Sequence, residues 1–130
     1  MKKMLKLALI AAASVAAFGT SAADFPAKDK TVTLVVPFAA GGPTDRVARD
    51  LAEAMRKPLG ANVVVDNTAG AGSSIGAARV ARATPDGYTL LLNHIGMSTM
   101  PALYRKLPFN VLNDFEYLGM VNEVPMTLIA

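Results

Sequence analysis

The stretch TVTLVVPFAAGGPTD, Thr31 to Asp45, reads as a strand that stops, crosses a small-residue loop and enters a helix. Thr31 to Val36 are strand-favouring, and four of the six are apolar, as suits a parallel strand covered on both faces. Pro37 has no N–H to give a sheet ladder and closes the strand. Ala39, Ala40, Gly41 and Gly42 leave the backbone bare, so a ligand can approach its N–H groups. Pro43 suits the first helical position, and Thr44 and Asp45 suit the first turn. The first N–H groups of a helix lack partners and carry partial positive charge, so such a loop is a natural anion site as well as an ordinary strand-to-helix turn.

Ahead of this stretch, Lys2, Lys3 and Lys6 precede an apolar run from Leu7 to Phe18, followed by Gly19-Thr20-Ser21-Ala22-Ala23. This is the pattern of a secretory signal cleaved after Ala22 or Ala23. The run falls short of the ~20 residues needed to cross a bilayer. The chain has 13 basic and 10 acidic residues, and removal of those three lysines leaves it formally neutral. The basic balance therefore belongs to the export signal, and with no basic, aromatic-interleaved patch downstream, nucleic acid is excluded as a partner. There is no cysteine, so neither a disulfide nor a lipidated cysteine is available.

Beyond it, Thr44 to Leu59 reads as an amphipathic helix with Val47, Ala48, Leu51 and Met55 on one face, Glu53 paired with Lys57, and Pro58 and Gly60 as its stop. Arg46 and Arg49 are placed toward solvent. Asn62 to Val65 reads as a second strand, Asp66 to Ser74 as a second small-residue loop, and Ile75 to Ala83 as a helix with Ser74 as its N-cap. Pro85-Asp86-Gly87 marks a turn, Tyr88 to Leu92 a third strand, Asn93 to Gly96 a loop, and Ser98 to Tyr104 a short helix. Three strand-loop-helix units in series predict an α/β fold with a doubly wound parallel sheet, all three loops opening on one edge. Further on, Asn113-Asp114 reads as a turn and Met120-Val121 as a short strand. Met126 to Ala130 is apolar up to the last residue, and the chain reads as a fragment.

Gly72-Ser73-Ser74-Ile75-Gly76 fits the G-x-S-x-G nucleophile elbow, with Asp86 and His94 following in the order of an α/β-hydrolase triad. The spacing argues against a Ser74-dependent esterase, because about eight residues separate this serine from its strand, where an elbow follows directly. Asp86 more simply caps its own turn. The glycines are one residue too far apart for a dinucleotide fingerprint. His94 is the only histidine, so no transition-metal site is expected, and no cofactor.

The runs VTLVVPFAAGGPTDRVARDLAEAM, NVVVDNTAGAGSSIGAARVARATPDGYTLLL, PALYRKLPF and DFEYLG keep the order and spacing of one family. The chain resembles the periplasmic substrate-binding proteins of tripartite tricarboxylate transporters, the Bug family. The resemblance implies a two-lobed flytrap fold that captures a small organic carboxylate, either a di- or tricarboxylate or an amino acid. It further implies a monomer that is no enzyme and delivers the ligand to membrane permease subunits. It places the ligand carboxylate between Phe38, Ala39, Ala40, Thr44 and Asp45 on one loop and Asn67, Ala71, Gly72, Ser73 and Ser74 on the other. It divides the chain into a signal at 1–23, a ligand-binding lobe at 24–118 and the start of a crossover at 119–130 into a second lobe that is missing. A remnant of the family that no longer binds is the remaining alternative. Family members commonly carry Arg-Pro where this chain has Thr68-Ala69, and a glycine where it has Ser73. Asp45 has two readings: a first-turn carboxylate favoured by the helix dipole, or a contact to a ligand amine or hydroxyl, as the resemblance implies for amino-acid-binding members.

Overall fold

The computed structural model describes residues 25–123. The signal read at 1–23 and the last part of the crossover, 124–130, lie outside the described residues. Strand β1 is Thr31–Val36, helix α1 Pro43–Leu59, β2 Asn62–Asn67, α2 Ser74–Ala81, β3 Thr89–Leu91 and α3 Gly96–Leu103. A single 3-10 turn, Ala71–Ser73, leads into α2.

The three strands form one parallel sheet in the order β2-β1-β3. Thr31 lies opposite Asn62 and Val36 opposite Asn67 on one side of β1, and Val35 lies opposite Leu91 on the other. From the central strand the chain moves out to β2, then returns past β1 to β3. Right-handed crossovers put the helices of such a path on opposite faces, and the core agrees. Val32, Leu34 and Val36 alternate along β1 and pack with Ala48 and Ala52 of α1 and with Val63. On the other face Leu91 packs with Ala77, Ala78 and Ala81 of α2, with Met97 and Met100 of α3, and with Phe109 and Val111. Full burial of each such valine or leucine contributes about 1.5–3 kcal/mol. The predicted doubly wound parallel α/β arrangement is thus the observed one.

Local differences have local causes. The buried line of α1 runs through Ala48 and Ala52, with Leu51 and Met55 partly buried at its flanks. Glu53 pairs with Arg56 one turn on rather than with Lys57, and Arg56 also donates to the Val63 carbonyl. Gly60 ends α1 in the left-handed conformation, its N–H donating to the Lys57 carbonyl. β2 continues two residues further than expected, to Asn67, because Val35 and Val36 pair with Asp66 and Asn67. Ser74 is the first residue of α2 and not its N-cap: that place falls to Ser73, and the Ser74 hydroxyl donates to the Ala71 carbonyl. No strand forms at Met120-Val121, where both side chains are exposed. The turn at Asn113-Asp114 does form, closed by the Asp114 carboxylate, which accepts the Asn110 N–H.

Candidate functional site

Because β1 and β2 are adjacent and parallel, the loops that follow them leave the sheet side by side. The Thr68 N–H extends the ladder by donating to the Val36 carbonyl. Loop 1, Pro37 to Gly42, enters α1 at Gly42, an extended N-cap with no side-chain cap, and the Pro at the helix start has no N–H to offer. Thr44 and Asp45 therefore carry the free first-turn N–H groups of α1. Loop 2, Thr68 to Ser73, passes through three successive left-handed residues, Ala71, Gly72 and Ser73, at φ 44°, 58° and 75°. For the two non-glycine residues this conformation costs on the order of 1–3 kcal/mol each.

The loops are joined by a polar cluster centred on Asp45, which is only 2% exposed. One of its oxygens, Oδ2, accepts the Gly41 N–H at 2.8 Å and Arg49 Nε at 2.9 Å. The other, Oδ1, accepts Asn67 Nδ2 at 3.0 Å, and the same amide nitrogen donates to the Phe38 carbonyl at 3.1 Å. Arg49 Nη2 reaches Asn67 Oδ1 at 3.4 Å. The Arg49 hydrogen bond, then the Gly41 N–H and the Asn67 amide, hold the Asp45 carboxyl at a pKa of about 2, against the opposing effect of burial. Arg49 does not simply face solvent, as its place in the helix suggested. It leans back one turn onto Asp45, and both oxygens of that carboxylate are occupied from within the protein.

The remaining predicted residues gather at the same end of the sheet. Ala39 and Ala40 are exposed, Phe38 and Thr44 half-buried. Ala71 and Gly72 are exposed, Ser74 is half-buried, and Ser73 is buried with a hydroxyl that has no hydrogen-bond partner. Gly76, in the first turn of α2, lies so close to loop 1 that an added Cβ would come within 2.7 Å of the Pro37 Cβ and 2.9 Å of the Thr68 carbonyl oxygen. Its missing side chain lets α2 approach both loops.

Three contacts escaped the sequence reading. The Tyr104 hydroxyl donates to the Ala71 carbonyl at 3.1 Å and lies directly over Gly72, where a Cβ would overlap it. His94, in the third loop, stacks on Phe38 with ring centroids 4.4 Å apart and planes 15° from parallel. Arg79 of α2 ties down the start of loop 2, pairing with Asp66 at 2.7 Å and donating to Thr68 Oγ1 at 2.8 Å. None of the three had a signal in the sequence. The stack follows from the observed β1–β3 register: carried three residues past Val35 opposite Leu91, it sets Phe38 opposite His94.

The triad order of Ser74, Asp86 and His94 has no counterpart in the hydrogen bonding. Ser74 Oγ donates to Ala71, Asp86 accepts the Tyr88 N–H, and His94 Nδ1 accepts the Gly96 N–H.

The model of the tripartite tricarboxylate transporter family receptor matches residues 47–130. The chain belongs to that family. An Agrobacterium vitis relative, a "UPF0065 protein in the TAR-I ttuE-ttuC' intergenic region", is 54% identical over 99 residues, which are 76% of this chain and 29% of that protein. Among solved structures, the periplasmic binding protein BugD is similar with a TM-score of 0.66 and 57% identity, covering 68% of this chain and 29% of its own. MatC from Rhodopseudomonas palustris, solved with bound malate, is similar with a TM-score of 0.64 and 46% identity, covering 68% and 30%. The chain thus spans under a third of the length of each of these proteins. Its fold is that of an α/β domain of such two-lobed proteins. Among the described residues, no helix is long and apolar enough to cross a membrane.

Proposed function

We propose that this chain supplies the carboxylate-gripping lobe of a periplasmic solute-binding protein serving a tripartite tricarboxylate transporter. The ligand carboxylate lies between Phe38, Ala39, Ala40 and Thr44 on loop 1 and Ala71, Gly72, Ser73 and Ser74 on loop 2. Backbone N–H groups of the two loops do most of the holding, and a second lobe closes over the ligand. No covalent step is involved. The loaded protein hands its ligand to permease subunits. Export through a signal cleaved after Ala22 or Ala23, action as a monomer, and lobe boundaries at 24–118 and 119–130 belong to the same reading.

The observation that carries it is the pairing of two bare loops at adjacent strand ends, one of them opening α1 with no side chain on its first N–H groups. That leaves donors of partial positive charge at an exposed edge. The orphaned Ser73 hydroxyl adds a donor on the facing loop. The malate in MatC makes a four-carbon dicarboxylate the first ligand to try here.

Calorimetric titration of the protein with malate, succinate, adipate, citrate and aspartate, paired with NMR titration of its backbone amides, tests the reading. Saturable binding of at least one is expected, with amide shifts confined to residues 38–45 and 67–76. A flat response to all five, or shifts centred elsewhere, counts against it. Turnover of a chromogenic ester that is lost in Ser74→Ala would favour the esterase instead.

A further inference from the structure

The Asp45 carboxylate, 2% exposed, and the Asn67 amide nitrogen direct the hydrogen bonds they make into the protein. Both Asp45 oxygens accept donors from the protein, Oδ2 from Gly41 and Arg49 and Oδ1 from Asn67. Both protons of Asn67 Nδ2 are engaged, one by the Asp45 carboxylate and one by the Phe38 carbonyl. Phe38 and Gly41 belong to loop 1, Asp45 to the first turn of α1, and Asn67 to the end of β2, where loop 2 begins. Arg49 touches the side chains of both Asp45 and Asn67. The network therefore runs from one loop to the other by two links, through the buried Asp45 carboxylate and directly from Asn67 to the Phe38 carbonyl.

We propose that Asp45, Asn67 and Arg49 are a clasp that sets the separation of the two loops, and that Asp45 and Asn67 act on binding by position and not by touching the ligand. The proposal rests on the carboxylate reading for its effect on affinity. A charge-assisted bond from Arg49 and a half-buried amide bridging the Phe38 carbonyl and the Asp45 carboxylate are directional contacts. A cradle built from backbone N–H groups needs such a frame, since its donors cannot adjust by rotating a side chain. Loss of the clasp should let loop 1 move while leaving the core between β1 and α1 intact.

The test is a swap. Asn67→Asp sets a second carboxylate against Asp45 in place of the amide donor. Adding Asp45→Asn restores a donor facing an acceptor across the Asp45–Asn67 pair and leaves Arg49 a carboxylate to meet, while the bond to the Phe38 carbonyl stays lost. Hydrogen exchange at the Gly41 N–H, which Asp45 accepts, reports on loop 1 directly, and succinate titration reports on the cradle. In Asn67→Asp, Gly41 exchange should rise and succinate affinity fall, each about ten-fold or more, the scale of a lost bond to a charged group. In the double variant both should recover part of that loss, as coupled residues in one network do. Losses that simply add, with no recovery, overturn the clasp. Affinity lost while Gly41 exchange stays unchanged overturns it too, because it marks a direct ligand contact. Should Asn67→Asp fail to fold, Arg49→Gln serves instead. Its side chain is more than half exposed, and unchanged Gly41 exchange in that variant is equally fatal. If the unaltered protein binds none of the five ligands, the carboxylate reading fails by itself; if it binds one other than succinate, that ligand replaces succinate in the titration. Without a ligand the exchange rescue alone decides the clasp.

Discussion

The hydroxyl of Tyr104, at the C-terminal end of α3, occupies the space that any side chain on Gly72 would need. The two residues are 32 positions apart in the chain, yet one sets what the other can be. Gly72→Ala must displace this hydroxyl and also hold a left-handed conformation that costs an alanine roughly 1–2 kcal/mol. Tyr104→Phe removes the overlap along with a hydrogen bond worth about 0.5–1.5 kcal/mol. Denaturant melts of the four-member cycle should show the double variant less destabilised than the two singles added together. Strict additivity would mean that loop 2 moves away from α3 freely.

Ser73 combines a buried, unpartnered hydroxyl with a left-handed backbone. Ser73→Gly should therefore stabilise the protein, by about 1–3 kcal/mol if the orphaned hydroxyl bears its full desolvation cost. Ser73→Ala should recover part of this, since it keeps the backbone strain. If the hydroxyl also serves the ligand, Ser73→Gly raises the melting temperature while it weakens binding. A lowered melting temperature in Ser73→Gly would show that the hydroxyl has a partner after all.

The depressed Asp45 carboxyl sets the acid limit of the loop pairing. A carboxyl whose folded pKa lies below its unfolded value contributes stability that is fully present above about pH 4 and is lost as pH falls toward 2. Arg49→Gln removes the largest cause of the depression and should move this acid transition upward. A pH series of thermal melts checks it: curves of the two proteins that superimpose between pH 5 and 2 would contradict the assignment.

Gly76→Ala should destabilise the protein even though alanine is the better helix former. The new methyl meets the Pro37 ring and the Thr68 carbonyl, neither of which can rotate away, and overpacking of this kind costs about 1–3 kcal/mol. A neutral or stabilising Gly76→Ala in urea melts would mean that α2 can shift off loop 1 at little cost.

His94→Ala should not be neutral. Loss of the stack on Phe38 removes an aromatic pair worth about 0.5–1.5 kcal/mol. His94→Phe should restore much of it. Equal melting temperatures for His94→Ala and the unaltered protein would leave the stack without energetic meaning.

The sequence made the fold legible through its strands. Leu34 to Val36 form an unbroken apolar run, Pro37 stops it, and Ser74 to Ala83 carry the small residues that let α2 lie close to the sheet. These are local signals that the tertiary structure had no reason to override. Loop positions were legible for the same reason, since glycine and proline mark where the backbone must turn. The clasp was not legible. Asp45 and Asn67 are 22 residues apart, and only the β1–β2 register brings them together. Arg49 was misplaced because helical spacing assigns a face, whereas a long side chain can bend back along its helix to a charge one turn away. Tyr104 reaches Ala71 across 33 positions, which no periodicity reports.

The register of the central strand also carries a consequence for the order of assembly. β1 meets β2 with partners 31 positions apart, as in Thr31 and Asn62, but meets β3 with partners 56 apart, as in Thr33 and Thr89. Closing the longer segment costs about 0.5 kcal/mol more chain entropy, and it must also dock α2 on the opposite face. The first nucleus to condense should therefore be the β1-α1-β2 unit, since contacts of shorter sequence separation are the less costly to form. That unit already contains Phe38, Gly41, Asp45, Arg49 and Asn67. Both arms of the cradle would then be tied together at the first productive collision of the folding chain, before His94 or Tyr104 has arrived.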